Sequence, residues 1–128
     1  MDEQSAERFL PQQVPIDAML DAGFRFAGMS HQGSIMTMPG RTQSWAAPTS
    51  ASALATRDLQ PILDLADNLD LLVIGTGAHV AVLPQTTLDA VREAGLAAEV
   101  SATRAAVRTY NILLSEDRRV AAALMALT

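Results

Sequence analysis

Residues 70–77, Asp70-Leu71-Leu72-Val73-Ile74-Gly75-Thr76-Gly77, decide the fold. Four apolar residues in a row, three of them Leu or Val and one Ile, are too few for a free-standing helix. They suit a strand covered on both faces, as in a parallel sheet. Gly75 and Gly77 then end the strand in a tight turn. Upstream, Leu59, Ile62, Leu63 and Ala66 recur at i, i+3, i+4 and i+7 after Asp58, with Pro61 in the first turn, and predict an amphipathic helix. Downstream, Pro84 opens a second helix through Leu88, Val91 and Ala94, closed by a left-handed Gly95 with Leu96 beyond it. A strand at Ala98 to Val100 follows. This alternation of helix and strand around a buried strand is the pattern of an α/β domain.

Outward from that centre, Phe24 to Ala27 alternates apolar and other residues, and Ser34 to Met38 is a second apolar-rich run. With Ser30-His31-Gln32-Gly33 between them the two runs predict a β-hairpin, and a short strand near Gln43 to Ala46 carries Trp45. The stretch PTSASALATR reads as a connecting loop. A third helix is expected from about Ala102 to Ser115, capped by Ser101 or Thr103. It has Val107, Tyr110 and Leu114 on its apolar stripe and Arg104, Arg108, Asn111 and Ser115 on the other side. In Arg119 to Leu127, alanine favours helix, whereas Val120, Ala122 and Leu124 fit a buried strand. The strand is the reading taken. Residues 1–13 are expected to be a flexible N-terminal segment, and residues 14–128 a single α/β domain.

Composition excludes several chemistries. The 128 residues contain no cysteine, which removes disulfides, thiolate metal sites and cysteine nucleophiles. All nine basic residues are arginine, so there is no lysine for a Schiff base or a phosphate loop. A formal charge of -5 is unsuited to neutralising a nucleic-acid backbone. The first residues match neither a secretory signal nor a transit peptide, and charges interrupt every apolar run. A cytoplasmic protein without membrane insertion is therefore expected.

The motifs are weak as chemistry. Gly75-Thr76-Gly77 after a strand could let backbone amides approach an anion, but the third glycine and immediate helix of a dinucleotide fingerprint are missing. Gly28 to Gly33 has the second glycine misplaced for a nucleophile elbow, and Ser30 and His31 are adjacent, so neither serves the other as base. Asp64, Asp67 and Asp70 recur every three residues and read as a solvated face. No metal site and no cofactor is expected. Arg104 and Arg108, one helical turn apart, could clamp a carboxylate or phosphate. The candidate ligand-binding residues are therefore Gly75, Thr76, Gly77, Arg104, Arg108, Tyr110 and Asn111, with Gly75, Thr76, Arg104 and Asn111 expected to line one groove.

Three blocks, GFRFAGMSHQGSIMTMP, DLLVIGTG and LPQTTLDAVREAGLAAEVSATRAAVRTYNILLSEDRRVAAALMAL, together spanning much of Pro15 to Leu127, carry a resemblance. The chain resembles the family of small domains that includes NADH:ubiquinone oxidoreductase complex assembly factor 3 and the adipogenesis-associated domain-containing protein. The resemblance implies a three-layer α/β domain, with a mixed central sheet flanked by helices and an additional N-terminal β layer, and it supports the C-terminal strand. It also implies an assembly or interaction factor, with GTG at 75–77 and TYN at 109–111 as motif positions and not as catalytic residues. A mitochondrial targeting segment is not expected in this chain. The leading expectation is a non-enzymatic protein-interaction or complex-assembly factor with a protein partner. The alternative is a small-ligand or anion-binding protein, perhaps an enzyme, using the GTG turn and an adjacent arginine. A homodimer through an exposed hairpin edge near Phe24 to Met38 is a further expectation.

Overall fold

In the computed structural model, which describes residues 9–128, the centre of the molecule is the alanine-rich C-terminal stretch. Val120–Leu124 is a strand with every residue buried. Alanine's helix preference is overridden because this strand is hydrogen-bonded on both sides and covered on both faces, where small side chains let the layers approach.

The strands in chain order are β1 (Phe9–Leu10), β2 (Ala18–Leu20), β3 (Gly23–Phe26), β4 (Met29–Gln32), β5 (Ile35–Met38), β6 (Arg41–Ser44), β7 (Leu71–Gly75), β8 (Ala97–Ser101) and β9 (Val120–Leu124). Six form a mixed sheet in the order β1-β6-β5-β9-β7-β8; β7 runs parallel to both β8 and β9, and β5 runs antiparallel to β9 and β6. The other three form a small antiparallel sheet, β2-β3-β4. The helices are α1 (Gln60–Leu63), α2 (Gln85–Glu93) and α3 (Thr103–Ser115).

Period-two alternation assigns each central strand to two cores. Met36, Met38, Leu72, Ile74, Ala121 and Ala123 pack on one face with Trp45, Ile62, Val91 and Leu96. Ile35, Val73, Val120, Ala122 and Leu124 pack on the other with Ala106, Val107 and Tyr110 of α3 and with Phe24 and Phe26 of the small sheet. The result is three layers, with α1 and α2 on one side of the mixed sheet and α3 with the extra β layer on the other, as the family resemblance implied. The exit of α2 also matches. Gly95 has φ +91, its N–H reaches Arg92 O at 2.9 Å, and Leu96 N–H reaches Val91 O at 3.2 Å, so Leu96 lands on Val91 in the core.

Several expectations are corrected. The hairpin partner of Phe24 to Phe26 is Met29–Gln32, not Ser34 to Met38. Ala27 (φ 51) and Gly28 (φ 75) supply the two left-handed residues of a two-residue turn, so the chain reverses at once. Ile35–Met38 belongs to the large sheet, flanked by β6 and β9, and the free edge within Phe24 to Met38 is β4, the outer strand of the small sheet. The helix expected from Asp58 is broken into a 3-10 turn at Thr56–Leu59, the single turn α1, and a 3-10 turn at Ala66–Asn68. Leu59, Ile62 and Leu65 follow a period of three as well as they follow 3.6, and three is the period of the tighter helix. Asp58 accepts the Ala55 N–H at 2.8 Å instead of capping a long helix. Of the segment expected to be flexible, residues 1–8 lie outside the described residues. Phe9–Leu10 pairs with β6, Gln12 O accepts from Thr42 Oγ1, and Gln13 Nε2 donates to Val120 O, which ties residues 9–13 to the large sheet.

Candidate functional site

The glycine turn that ends β7 meets the first turn of α3. A side chain at Gly75 would put its Cβ 2.7 Å from Thr103 Oγ1 and 2.9 Å from Thr103 Cα, so only glycine lets the helix sit there. Gly77 takes φ +100, which turns its N–H toward Thr103 Oγ1 at 2.8 Å and its carbonyl toward Thr103 N–H at 2.8 Å. The same hydroxyl donates to Met125 O at 2.7 Å, and Met125 N–H returns to Gly75 O at 3.0 Å. Thr76 N–H donates to Ser101 O, while its hydroxyl lies 2.7 Å from His79 O and 3.2 Å from Ser101 O. Thr103, read as a helix cap, instead ties the ends of β7 and β9 together; the cap position is Ala102, which makes no side-chain bond. The amides an anion would need, those of Thr76 and Gly77, are engaged inside the fold.

On the buried side of α3, Tyr110 and Asn111 hold the N-terminal segment. Tyr110 OH donates to Val14 O at 2.7 Å and lies 3.1 Å from Thr37 Oγ1. Thr37 Oγ1 lies 2.9 Å from Thr42 Oγ1, which donates to Gln12 O at 3.0 Å. Three hydroxyl protons serve these four contacts. With Tyr110 and Thr42 donating outward, the one proton of Thr37 is divided between its two neighbours. Burial pushes the Tyr110 phenol up to about 12, and the Thr37 and Gln13 side chains offset part of that rise. Asn111 Oδ1 accepts the Ile16 N–H at 2.9 Å and its Nδ2 donates to Ile16 O at 2.8 Å, mimicking one rung of a β ladder. Asn111 thus faces the small sheet's entry strand, not open solvent as its helical stripe suggested.

Arg104 and Arg108 are exposed on α3. With Val107 they form one wall of a groove of about 300 Å³ whose other wall is Ile16, Asp17 and Met19. Among the described residues the ion pairs join Arg92 to Asp89 and Arg119 to Asp70, so no carboxylate of the fold lies within pairing distance of Arg104 or Arg108. The seven expected residues therefore fall into a turn (Gly75, Thr76, Gly77), a clasp (Tyr110, Asn111) and a cationic groove wall (Arg104, Arg108). Asn111 reaches the rim of the Arg104 groove. Gly75 and Thr76 do not line it, because Thr103 occupies the space between the turn and the helix. Sequence reasoning missed Thr37 and Thr42 and read Thr103 only as a helix cap; the available signal for Thr37 was a lone threonine in the apolar run Ile35 to Met38. Ser30 is exposed, and as consecutive residues of β4, Ser30 and His31 point to opposite faces. Asp64, Asp67 and Asp70 are all exposed. Among the described residues no helix is long and apolar enough to cross a membrane.

The chain is similar to several known proteins along most of its length. An uncharacterised protein of Rhodobacter capsulatus is 37% identical over 112 residues, covering 88% of this chain and 84% of that one. The NADH dehydrogenase (ubiquinone) 1 alpha subcomplex assembly factor 3 of Danio rerio is 33% identical over 103 residues, covering 80% of this chain and 59% of that one. The chain thus spans about three fifths of that assembly factor. The crystal structure of a Bartonella henselae protein, described as an outer membrane protein, superimposes with a TM-score of 0.84 at 40% identity, covering 91% of this chain and 97% of that one. With its residues 16–125 matched as well, the chain belongs to the family described as protein of unknown function (DUF498/DUF598).

Proposed function

We propose that this protein is a non-enzymatic interaction factor that assists assembly of a protein complex in the cytoplasm, and that the groove walled by Arg104 and Arg108 receives a carboxylate-bearing segment of its partner. The reading is supported by likeness to assembly factors across most of the chain. The observation that carries it is the fate of the motif residues. Gly77, Tyr110 and Asn111 each have polar groups bonded to the protein's own chain, whereas among the described residues neither groove arginine forms an ion pair, Asp17 on the opposite wall included. Two guanidinium groups one turn apart suit a carboxylate held bidentately, and their exposure leaves the net-negative remainder of the surface to limit non-specific contacts.

The test is affinity purification of the tagged chain from its native cells, with co-purifying proteins identified, alongside the Arg104→Glu/Arg108→Glu variant. A discrete set of subunits recovered with the wild type and lost with the variant is the expected result. Recovery unchanged by the double charge reversal overturns the groove assignment. A thermal-shift gain with organic phosphates that vanishes in Arg104→Ala, with no protein recovered, replaces the assembly reading by small-anion binding.

A further inference from the structure

Between β7 and α2 the chain passes through Ala78-His79-Val80-Ala81-Val82-Leu83, a run without Asp, Glu or Arg whose two valines favour a strand and which belongs to no sheet. The chain bends at residues 77–79, where Ala78 and His79 are exposed, and from Val80 to Leu83 exposure alternates. Val80 is 66% and Val82 86% exposed, whereas Leu83 is 4% exposed and Ala81 packs against the core. That two-residue period belongs to an extended chain lying on the core with one face outward. Among the described residues, no N–H from Ala78 to Leu83 has a hydrogen-bond acceptor, and the stretch's carbonyls receive one bond, from Thr76 Oγ1 to His79 O. A β-forming segment with two bare valines and an unpaired backbone is a strand lacking its neighbour.

We propose that residues 80–82 pair antiparallel with the same residues of a second copy, about a two-fold axis at Ala81, forming a homodimer. The sequence is self-complementary there. Val80-Ala81-Val82 reads the same in both directions, so Val80 of one copy faces Val82 of the other, twice, giving β-branched cross-strand pairs on one face. The stretch from Ala78 to Leu83 contains no Asp, Glu or Arg, so the pairing sets no two such like charges against each other. The exposed edge strand β8 contrasts with this, since the same symmetric pairing centred there would set Glu99 against Glu99. One short strand per copy falls below the roughly 1,200 Å² of a stable interface, so the dimer is weak and concentration-dependent. The inference does not rest on the assembly reading, which concerns the opposite wall chemistry of α3.

Sedimentation equilibrium over a wide concentration range tests it. The wild type should rise from the 13.6 kDa monomer mass toward twice that value, and Val82→Lys should weaken the association by roughly tenfold or more while melting at the wild-type temperature. Because the chain has no cysteine, register can be read by oxidation. A mixture of Val80→Cys and Val82→Cys proteins should cross-link between the two variants well ahead of either alone, since diagonal positions lie beyond disulfide reach. A wild type that stays monomeric at the highest concentration, association unaffected by Val82→Lys, or cross-linking that ignores the pairing of 80 with 82 would each overturn the proposal. Protection of these valines only by a different protein would overturn it too.

Discussion

Asn111 and Ile16 lie 95 residues apart in the chain and exchange two hydrogen bonds, carboxamide to peptide, at 2.9 and 2.8 Å. Beside them Tyr110 donates to Val14 O. Two consecutive helical residues therefore help fix the approach of the small sheet to the large one, and among the described residues no strand of the small sheet pairs with a strand of the large one. The TYN motif is the joint between the β layer and the α/β body. Its polarity is structural, which is why its residues are half-buried or buried on a helix whose outer face carries arginine.

Removing the Asn111 carboxamide leaves the Ile16 N–H and C=O unpaired at a residue only 3% exposed. Asn111→Ala is expected to destabilise the fold by roughly 2–3 kcal/mol, the sum of lost bonds and uncompensated desolvation. Urea titration measures the loss, and hydrogen exchange at the Ile16 amide should accelerate more than exchange in β9. Asn111→Asp should be worse than alanine at neutral pH, since a carboxylate facing Ile16 O repels it.

Tyr110 gives stability a dependence on alkaline pH. Its folded value of about 12 lies above the ordinary value near 10, so the folded state holds the phenolic proton more tightly than the unfolded chain does. The associated stability is fully present below pH 10 and is lost as pH rises from there through 12, by on the order of 2–3 kcal/mol at the end of that window. Tyr110→Phe should flatten the decline between pH 10 and 12 in denaturant midpoints. At neutral pH it should cost about 1–2 kcal/mol, because Val14 O loses its donor. An alkaline decline as steep in the phenylalanine variant as in the wild type would show that another group is responsible.

The α/β elements were legible in local pattern: the apolar run at Leu71 to Ile74 marks a buried strand and Gly95 a helix stop, whereas the layer arrangement came from the family resemblance, which also supported a strand over helix at Val120, Ala122 and Leu124. The groove was not legible. Which side of α3 meets the segment at Ile16 depends on contacts almost a hundred residues apart in sequence, and the helical stripe could not distinguish an asparagine facing a strand from one facing water. The helix expected after Asp58 failed for a local reason, since Leu59, Ile62 and Leu65 satisfy two helical periods at once. The first hairpin was misplaced because Ala27, a residue that rarely turns left-handed, occupies the turn where asparagine or glycine usually signals it.

That residue makes a stabilising prediction. Ala27 sits at φ 51 ahead of Gly28 at φ 75, a turn that prefers Asn-Gly. Ala27→Asn should raise stability by roughly 0.5–1 kcal/mol, because asparagine tolerates the left-handed region better than alanine does. The gain should appear as a higher denaturation midpoint with an unchanged slope. A loss would mean that the turn is held in this shape by contacts the side chain disturbs.

Gly75 and Thr103 should be coupled. Gly75→Ala places a methyl group against Thr103 Oγ1 and Cα, and the Cα cannot move without shifting the start of α3. The expected loss is roughly 2–3 kcal/mol, typical of overpacking in a rigid environment. Thr103→Ala removes the hydroxyl that joins Gly77 N–H to Met125 O and should cost a similar amount, since both of those groups are left without that partner. In the double variant the alanine methyl at 75 meets no Oγ1, so part of the strain is relieved and its loss should fall short of the sum of the two single losses by roughly 1 kcal/mol. A thermodynamic cycle built from the four proteins measures that term directly. Strict additivity would place the strain in the Thr103 backbone alone, and would mean that the glycine is required by the path of α3 and not by the threonine side chain it carries.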